Sequence, residues 1–159
     1  MQEKLYNKKQ NQLFMKTQLV VTGFIFHENK LLLIHHKKLN LWLPVGGHIE
    51  ENETPDDALK REIREEVGLE VELLSQPPIE KAANTHTICA TPFHISTHNV
   101  GDHDHCSLFY MCKAKNPEQL QINKEVINYQ WVSKEQLEQE HIPKDVQNIG
   151  EYAFSIQEK

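Results

Sequence analysis

The stretch that most constrains this chain runs from residue 50 to residue 72. It holds ten acids (Glu50, Glu51, Glu53, Asp56, Asp57, Glu62, Glu65, Glu66, Glu70 and Glu72) against three bases, Lys60, Arg61 and Arg64. The segment is therefore −7, and the remainder, with 13 acids and 14 bases, is +1, so the formal net charge of −6 is local. The same stretch reads as a helix over 55–67. Thr54 is the N-cap candidate, Pro55 suits the first helical position, and Asp56 and Asp57 suit the positive end of the helix dipole. Gly68 is a natural residue to end it. Leu59, Ile63 and Val67 recur at every fourth position and form a stripe that must be buried.

At about 100° per residue, Glu66 lies within about 60° of the stripe's centre and Glu62 about 100° from it, with Glu65 further round. The three carboxylates are expected to share one sector bordering the core. A solvated acidic face would carry its charges opposite the stripe. Charges beside a core are costly unless paired or metal-bound, and clustered hard oxygen donors suit Mg²⁺ or Mn²⁺.

The chain's 159 residues fit one domain. The mixed, Lys- and Asn-rich start, residues 1–16, reads as a partly ordered leader that docks through Leu13 and Phe14, which leaves 17–159 as the domain. No apolar run approaches the roughly 18 residues of a membrane span. Cys89, Cys106 and Cys112 form no Cys-x-x-Cys pair and no disulfide framework, so free thiols and a reducing cytoplasm are expected. An acidic balance argues against a nucleic-acid partner. Monomer and homodimer are both open.

Strands are predicted at 19–26 and 30–34, joined by a turn at His27-Glu28-Asn29, and at Leu41-Trp42-Leu43, which Pro44 stops. Val45-Gly46-Gly47 reads as a flexible break. Further strands are predicted at 70–74, 79–90, 93–97, 106–114 and 129–132. The 106–114 strand is apolar on both faces and should be central. Ser133 to Gln136 reads as a capping box opening a short helix. Val146, Ile149, Tyr152 or Ala153, and Ile156 mark a helix after Pro143. Strands interleaved with two substantial helices imply an α/β sandwich with a mixed sheet.

The acidic stretch has a fuller pattern. Gly47 is followed after five residues by Glu53, and after seven more by Arg61-Glu62-Ile63-Arg64-Glu65-Glu66-Val67-Gly68-Leu69. This resembles the Nudix box, Gly-x5-Glu-x7-Arg-Glu-U-x-Glu-Glu-x-Gly-U with U apolar, at every specified position. The resemblance implies the α/β/α Nudix sandwich and divalent-metal-dependent hydrolysis of a phosphoanhydride, in a nucleoside diphosphate-linked compound or a nucleoside triphosphate. It implies Mg²⁺, with Mn²⁺ as a substitute, and a small phosphorylated, nucleotide-type substrate. Glu62 and Glu66 are the implied metal ligands, and Glu65 is either a further ligand or the base. The Gly46 carbonyl commonly joins the set in relatives. Arg61 would orient Glu53 or Glu65. Glu125, six residues before Trp131, is the candidate fourth acid from outside the box.

His48, His103 and His105 are candidate substrate residues, as are Trp42 and Phe93. His103-Asp104-His105 has no spacing typical of a closed structural zinc site, so these histidines read as cleft-lining or surface residues. Trp42, Phe93 and Tyr110 could stack on a base, but a buried aromatic is the commoner explanation. Asn84-Thr85-His86-Thr87 carries neither the proline of the ADP-ribose group nor the tyrosine of the diadenosine polyphosphate group. A silent nucleotide-binding module and an RNA 5′-end pyrophosphohydrolase are the alternatives. The latter lacks a basic groove, since Lys37-Lys38 is the only strong basic pair beyond the leader.

Overall fold

The structure, a computed structural model, describes residues 16–159. The leader expected over 1–16, Leu13 and Phe14 included, lies outside the described residues except for Lys16. In chain order the elements are β1 (Thr17–His27), β2 (Lys30–His36), β3 (Leu41–Leu43), β4 (Val45–His48), α1 (Pro55–Val67), β5 (Val71–Leu73), β6 (His94–Asn99), β7 (Asp104–Ala114), β8 (Val126–Val132) and α2 (Lys144–Gln157). Short 3-10 turns occupy Pro117–Gln119 and Glu135–Glu138.

The strands join one mixed sheet. Its spine is the parallel pair β1–β7, in register from Thr17↔Asp104 to Phe26↔Lys113. Both strands carry apolar side chains on both faces, as a doubly covered strand must. The β1–β2 turn uses Glu28 and Asn29 at φ 47° and 59°, the backbone that a tight two-residue hairpin requires. β1 and β2 pair only beside that turn, at Phe26↔Leu31 and His27↔Lys30. Beyond it they part: β3 continues along β2 and β4 along β1, with Pro44 between them.

α1 covers one face of the sheet, where Leu59, Ile63 and Val67 pack with Val21, Ile25, Val45, Tyr110 and Cys112. α2 covers the other, where Val146, Ala153 and Phe154 pack with Phe24, Phe26, Phe109 and Met111. This is the expected α/β/α sandwich. The α1 bounds are those predicted. Thr54 Oγ accepts the Asp57 N–H at 3.2 Å, and Gly68 ends the helix at φ 67°. Among the described residues no helix is long and apolar enough to cross a membrane.

Several local expectations are corrected. Val45-Gly46-Gly47 is strand rather than a break, paired with Thr22 and its neighbours on β1. Residues 79–90 form a loop, not a strand. Pro77 and Pro78 precede it, Ile79 stands exposed, and Ala83 has φ 48°, so neither ladder nor core holds an extended chain there. The loop is tied down at its end by Asp56, whose carboxylate oxygens both accept the Ala90 N–H at 3.1 Å. The Ser133 box forms one of its two bonds: Gln136 accepts the Ser133 N–H, but the serine hydroxyl donates to Glu135. On α2, Ala153 rather than Tyr152 takes the buried place left open between them, with Phe154 buried beside it and Tyr152 exposed.

Candidate active site

Burial of the Leu59–Ile63–Val67 stripe fixes the rotation of α1 and thereby where its carboxylates point. Glu66 turns inward and is only 5% exposed. The Glu62 side chain is mostly covered, and that of Glu65 is 57% exposed. The expected core-bordering sector therefore holds Glu62 and Glu66, while Glu65 looks outward. Its position lies about 160° from the stripe's centre.

Glu66 Oε2 is the one buried side-chain oxygen or nitrogen among the described residues with no hydrogen-bond partner. Burial, then the charges of Glu62 and Glu125, push the Glu66 carboxyl up to about 8, against the Gly46 N–H that faces it. Burial also raises Glu62, with Arg61 opposing. Glu125 is brought in by the loop before β8. The Gln121 and Asn123 N–H groups donate to the carbonyls of Val67 and Glu66 at 3.0 Å, which docks that loop on the end of α1. An unpartnered buried oxygen among three carboxylates is a site built for a positive charge, and its all-oxygen donor set fits a hard divalent cation.

Arg61 organises the surroundings. Its Nε and Nη2 donate to the two Glu53 oxygens at 2.6 and 3.0 Å, a bidentate fork. Nη1 donates to Glu62 at 2.8 Å and to Glu65 at 3.3 Å, and Nη2 reaches the His48 carbonyl at 3.0 Å. Arg61 is first among the influences that hold Glu53 down at about 2, followed by the Glu50 N–H. The arginine thus fastens α1 to the end of β4 and to the loop between them. Lysine cannot reproduce this fork. Arg61→Lys is expected to lower kcat/KM roughly 10- to 100-fold with the fold retained, as loss of a group that orients ligands typically does. Steady-state kinetics with matched circular dichroism would check it.

The two glycines of β4 are there for space rather than for φ. A Cβ on Gly46 would run into the Val21 carbonyl oxygen, and a Cβ on Gly47 into the Glu62 carboxylate. Beside them the parting of β1 and β2 opens a cleft of about 240 Å³, with Thr22, Phe24, Gly46, Gly47, Glu66, Ser107 and Phe109 in its wall. His48 and His105 also line it. Their Nε2 atoms lie 3.3 Å apart, and His103 Nε2 lies 3.1 Å from His105 Nε2. Burial first, then the facing histidines, lower the His105 pKa.

Trp42 and Phe93 do not join the site. Trp42 stacks on His35 at 5.1 Å and meets His141 edge-on, because its strand turns it toward the α2 face. Phe93 packs edge-on against Phe24 at 5.4 Å. Tyr110 is core. The aromatic wall comes instead from Phe24 and Phe109, which sequence reading took only as strand residues. Thr22 and Ser107 were missed as well. The available signal was polarity: each is a hydroxyl residue set in an apolar run of its strand, 19–26 for Thr22 and 106–112 for Ser107. Asp145 and Ile149 of α2 complete the wall.

A family model described as NUDIX domain matches residues 16–152. An 8-oxo-dGTP diphosphatase of Buchnera aphidicola subsp. Schizaphis graminum is 41% identical over 61 residues, which are 36% of this chain and 47% of that protein. The match thus spans about half the length of that curated relative. Among solved structures, a NUDIX-family hydrolase from Clostridium perfringens superimposes with a TM-score of 0.76 at 29% identity, covering 90% of this chain and 99% of that one. The MutT protein of Methanosarcina mazei Go1, at 16% identity, shares the fold with a TM-score of 0.67, covering 92% of this chain and 98% of that one.

Proposed function

The chain belongs to the NUDIX domain family, and from that premise we propose that it hydrolyses a phosphoanhydride bond in a small nucleotide-type compound, with 17–159 as its working domain. The observation that carries this reading is the buried, unpartnered Glu66 oxygen between the charges of Glu62 and Glu125. Glu62 and Glu66, with Glu65, Glu125 and the Gly46 carbonyl, would hold Mg²⁺, for which Mn²⁺ could substitute. When bound, the ion offsets substrate charge and makes water more acidic.

The chain's own groups do the rest. Arg61 keeps Glu62 in place and, through Glu53, keeps the β4–α1 loop in place. One carboxylate of Glu62, Glu65 and Glu66 takes the proton of the attacking water. Phe24 and Phe109 offer apolar surface to a base or sugar, while Thr22, Ser107, His48 and His105 offer hydrogen bonds. His103 acts behind His105. Three free thiols suit a reducing cytoplasm.

A substrate panel tests the proposal: nucleoside triphosphates including 8-oxo-dGTP, ADP-ribose, nucleotide sugars and dinucleotide polyphosphates, each with Mg²⁺. A nucleoside monophosphate is the expected product from at least one class. Folded protein that turns over none of them in the presence of the metal would refute the proposal.

A further inference from the structure

We infer that His48, His103 and His105 form a second metal centre, separate from the carboxylates and selective for a borderline transition metal of the Zn²⁺ class. The inference does not depend on the hydrolytic reading. The three residues come from distant parts of the chain. His48 ends β4 and lies across β1 from Val20, and His105 lies on the opposite edge of β1, beside Gln18. β1 therefore holds both histidines on one sheet face, and His103 follows from the turn into β7.

Their donor atoms converge. His105 Nε2 lies 3.1 Å from His103 Nε2 and 3.3 Å from His48 Nε2, and one ring nitrogen from each of the three histidines falls within 4.8 Å of the others. For Zn–N bonds of about 2.0–2.1 Å in a tetrahedron, neighbouring nitrogens stand about 3.3 Å apart. Two of the three edges already have that length. His48 is exposed and free to close the third.

Protonation also favours a cation. His103 Nδ1 lies 2.6 Å from an Asp102 carboxylate oxygen, so Nδ1–H donates outward. In the neutral ring this turns the Nε2 lone pair toward the other two histidines. A carboxylate behind a ligating imidazole is the usual support of a histidine–metal bond. A chain of imidazole hydrogen bonds would satisfy one contact at His105 Nε2, but that atom meets two nitrogens. A cation satisfies all three. Imidazole donors suit Zn²⁺, Ni²⁺ or Cu²⁺ and serve Mg²⁺ poorly, so the two centres would not compete.

Three ligands leave a fourth position, and His48 and His105 both line the cleft. That position is therefore open to water or to a substrate oxygen, with His98, whose ring centroid is 5.5 Å from that of His105, as the nearest further imidazole.

The test uses the full chain and Zn²⁺ alone as probe, in excess Mg²⁺ to occupy the carboxylates. Equilibrium dialysis with elemental analysis is expected to find one Zn²⁺ per chain, bound below micromolar, and Zn²⁺ should raise Tm. His105→Ala should weaken binding about 100-fold and Asp102→Asn roughly tenfold. Should His105→Ala fail to fold, exposed His48→Ala supplies the same comparison, and histidine ¹⁵N shifts in wild type report directly on metal-bound Nε2 atoms. Wild type that retains no Zn²⁺ in excess Mg²⁺ would overturn the inference. So would histidine variants that bind as tightly as wild type, or ¹⁵N shifts that Zn²⁺ does not move.

Discussion

Glu66→Gln is expected to lower phosphoanhydride turnover by roughly 10³-fold, because the several kcal/mol supplied by a properly held cation divide by about 1.4 kcal/mol per decade of rate. The same substitution should make the metal-free protein more stable. Glu66 is buried, one of its oxygens has no partner, and Glu62 and Glu125 repel its charge. Glutamine keeps the shape and removes the charge. Most substitutions at a buried polar residue cost stability. A residue whose replacement kills activity while stiffening the apo fold is one retained for function. Kinetics and thermal melting of one preparation check both halves. A dead variant that also melts well below wild type would point to a structural role.

Gly47→Ala is the second large effect, expected to lose on the order of 100-fold in kcat/KM, the cost of a misplacement of about 1 Å at a catalytic group. Its added Cβ would occupy the place of the Glu62 carboxylate. That carboxylate ends a flexible side chain, so it can swing away and the fold survives. It then leaves the bond from Arg61 that holds it at 2.8 Å. Gly46→Ala makes the contrast. Its Cβ meets the backbone carbonyl of Val21, which cannot swing, so that variant should lose stability before it loses chemistry. Melting curves for the two alanine variants, set beside their rates, separate the roles of adjacent glycines.

What could be read from sequence follows from the range of the forces involved. α1 was legible to the residue, since its cap, proline, stripe and terminal glycine are all local signals. The inward placement of Glu62 and Glu66 was legible because helix geometry converts spacing into direction. β4 was not: a glycine pair reads as a break, and only the proximity of Val21 and Glu62 explains why glycine is needed in a strand. The loop over residues 79–90 was misread as strand from composition, although Pro77 and Pro78 argued against pairing. Trp42 and Phe93 were assigned by residue type, and type does not say which sheet face a side chain enters. The meeting of His48 with His105 depends on the β1–β7 and β1–β4 registers, which no local pattern encodes. Glu125 reaches the carboxylates only because Gln121 and Asn123 dock on the end of α1.

The central claim is that the Glu66 carboxylate awaits a divalent ion, and melting wild type and Glu66→Gln from pH 5 to 9, with chelator and with Mg²⁺, tests it most directly. A carboxyl raised from 4.5 to about 8 on folding binds its proton more tightly in the native state. Its contribution to stability is therefore complete below the unfolded value and is lost as pH rises through the folded one. The loss is on the order of 5 kcal/mol, or roughly 10–20 °C in Tm. Metal-free wild type should fall steadily below Glu66→Gln between about pH 5 and 8, and Mg²⁺ should restore wild type while leaving the variant unmoved. Parallel pH profiles for the two proteins, with no response of wild type to Mg²⁺, would contradict the claim.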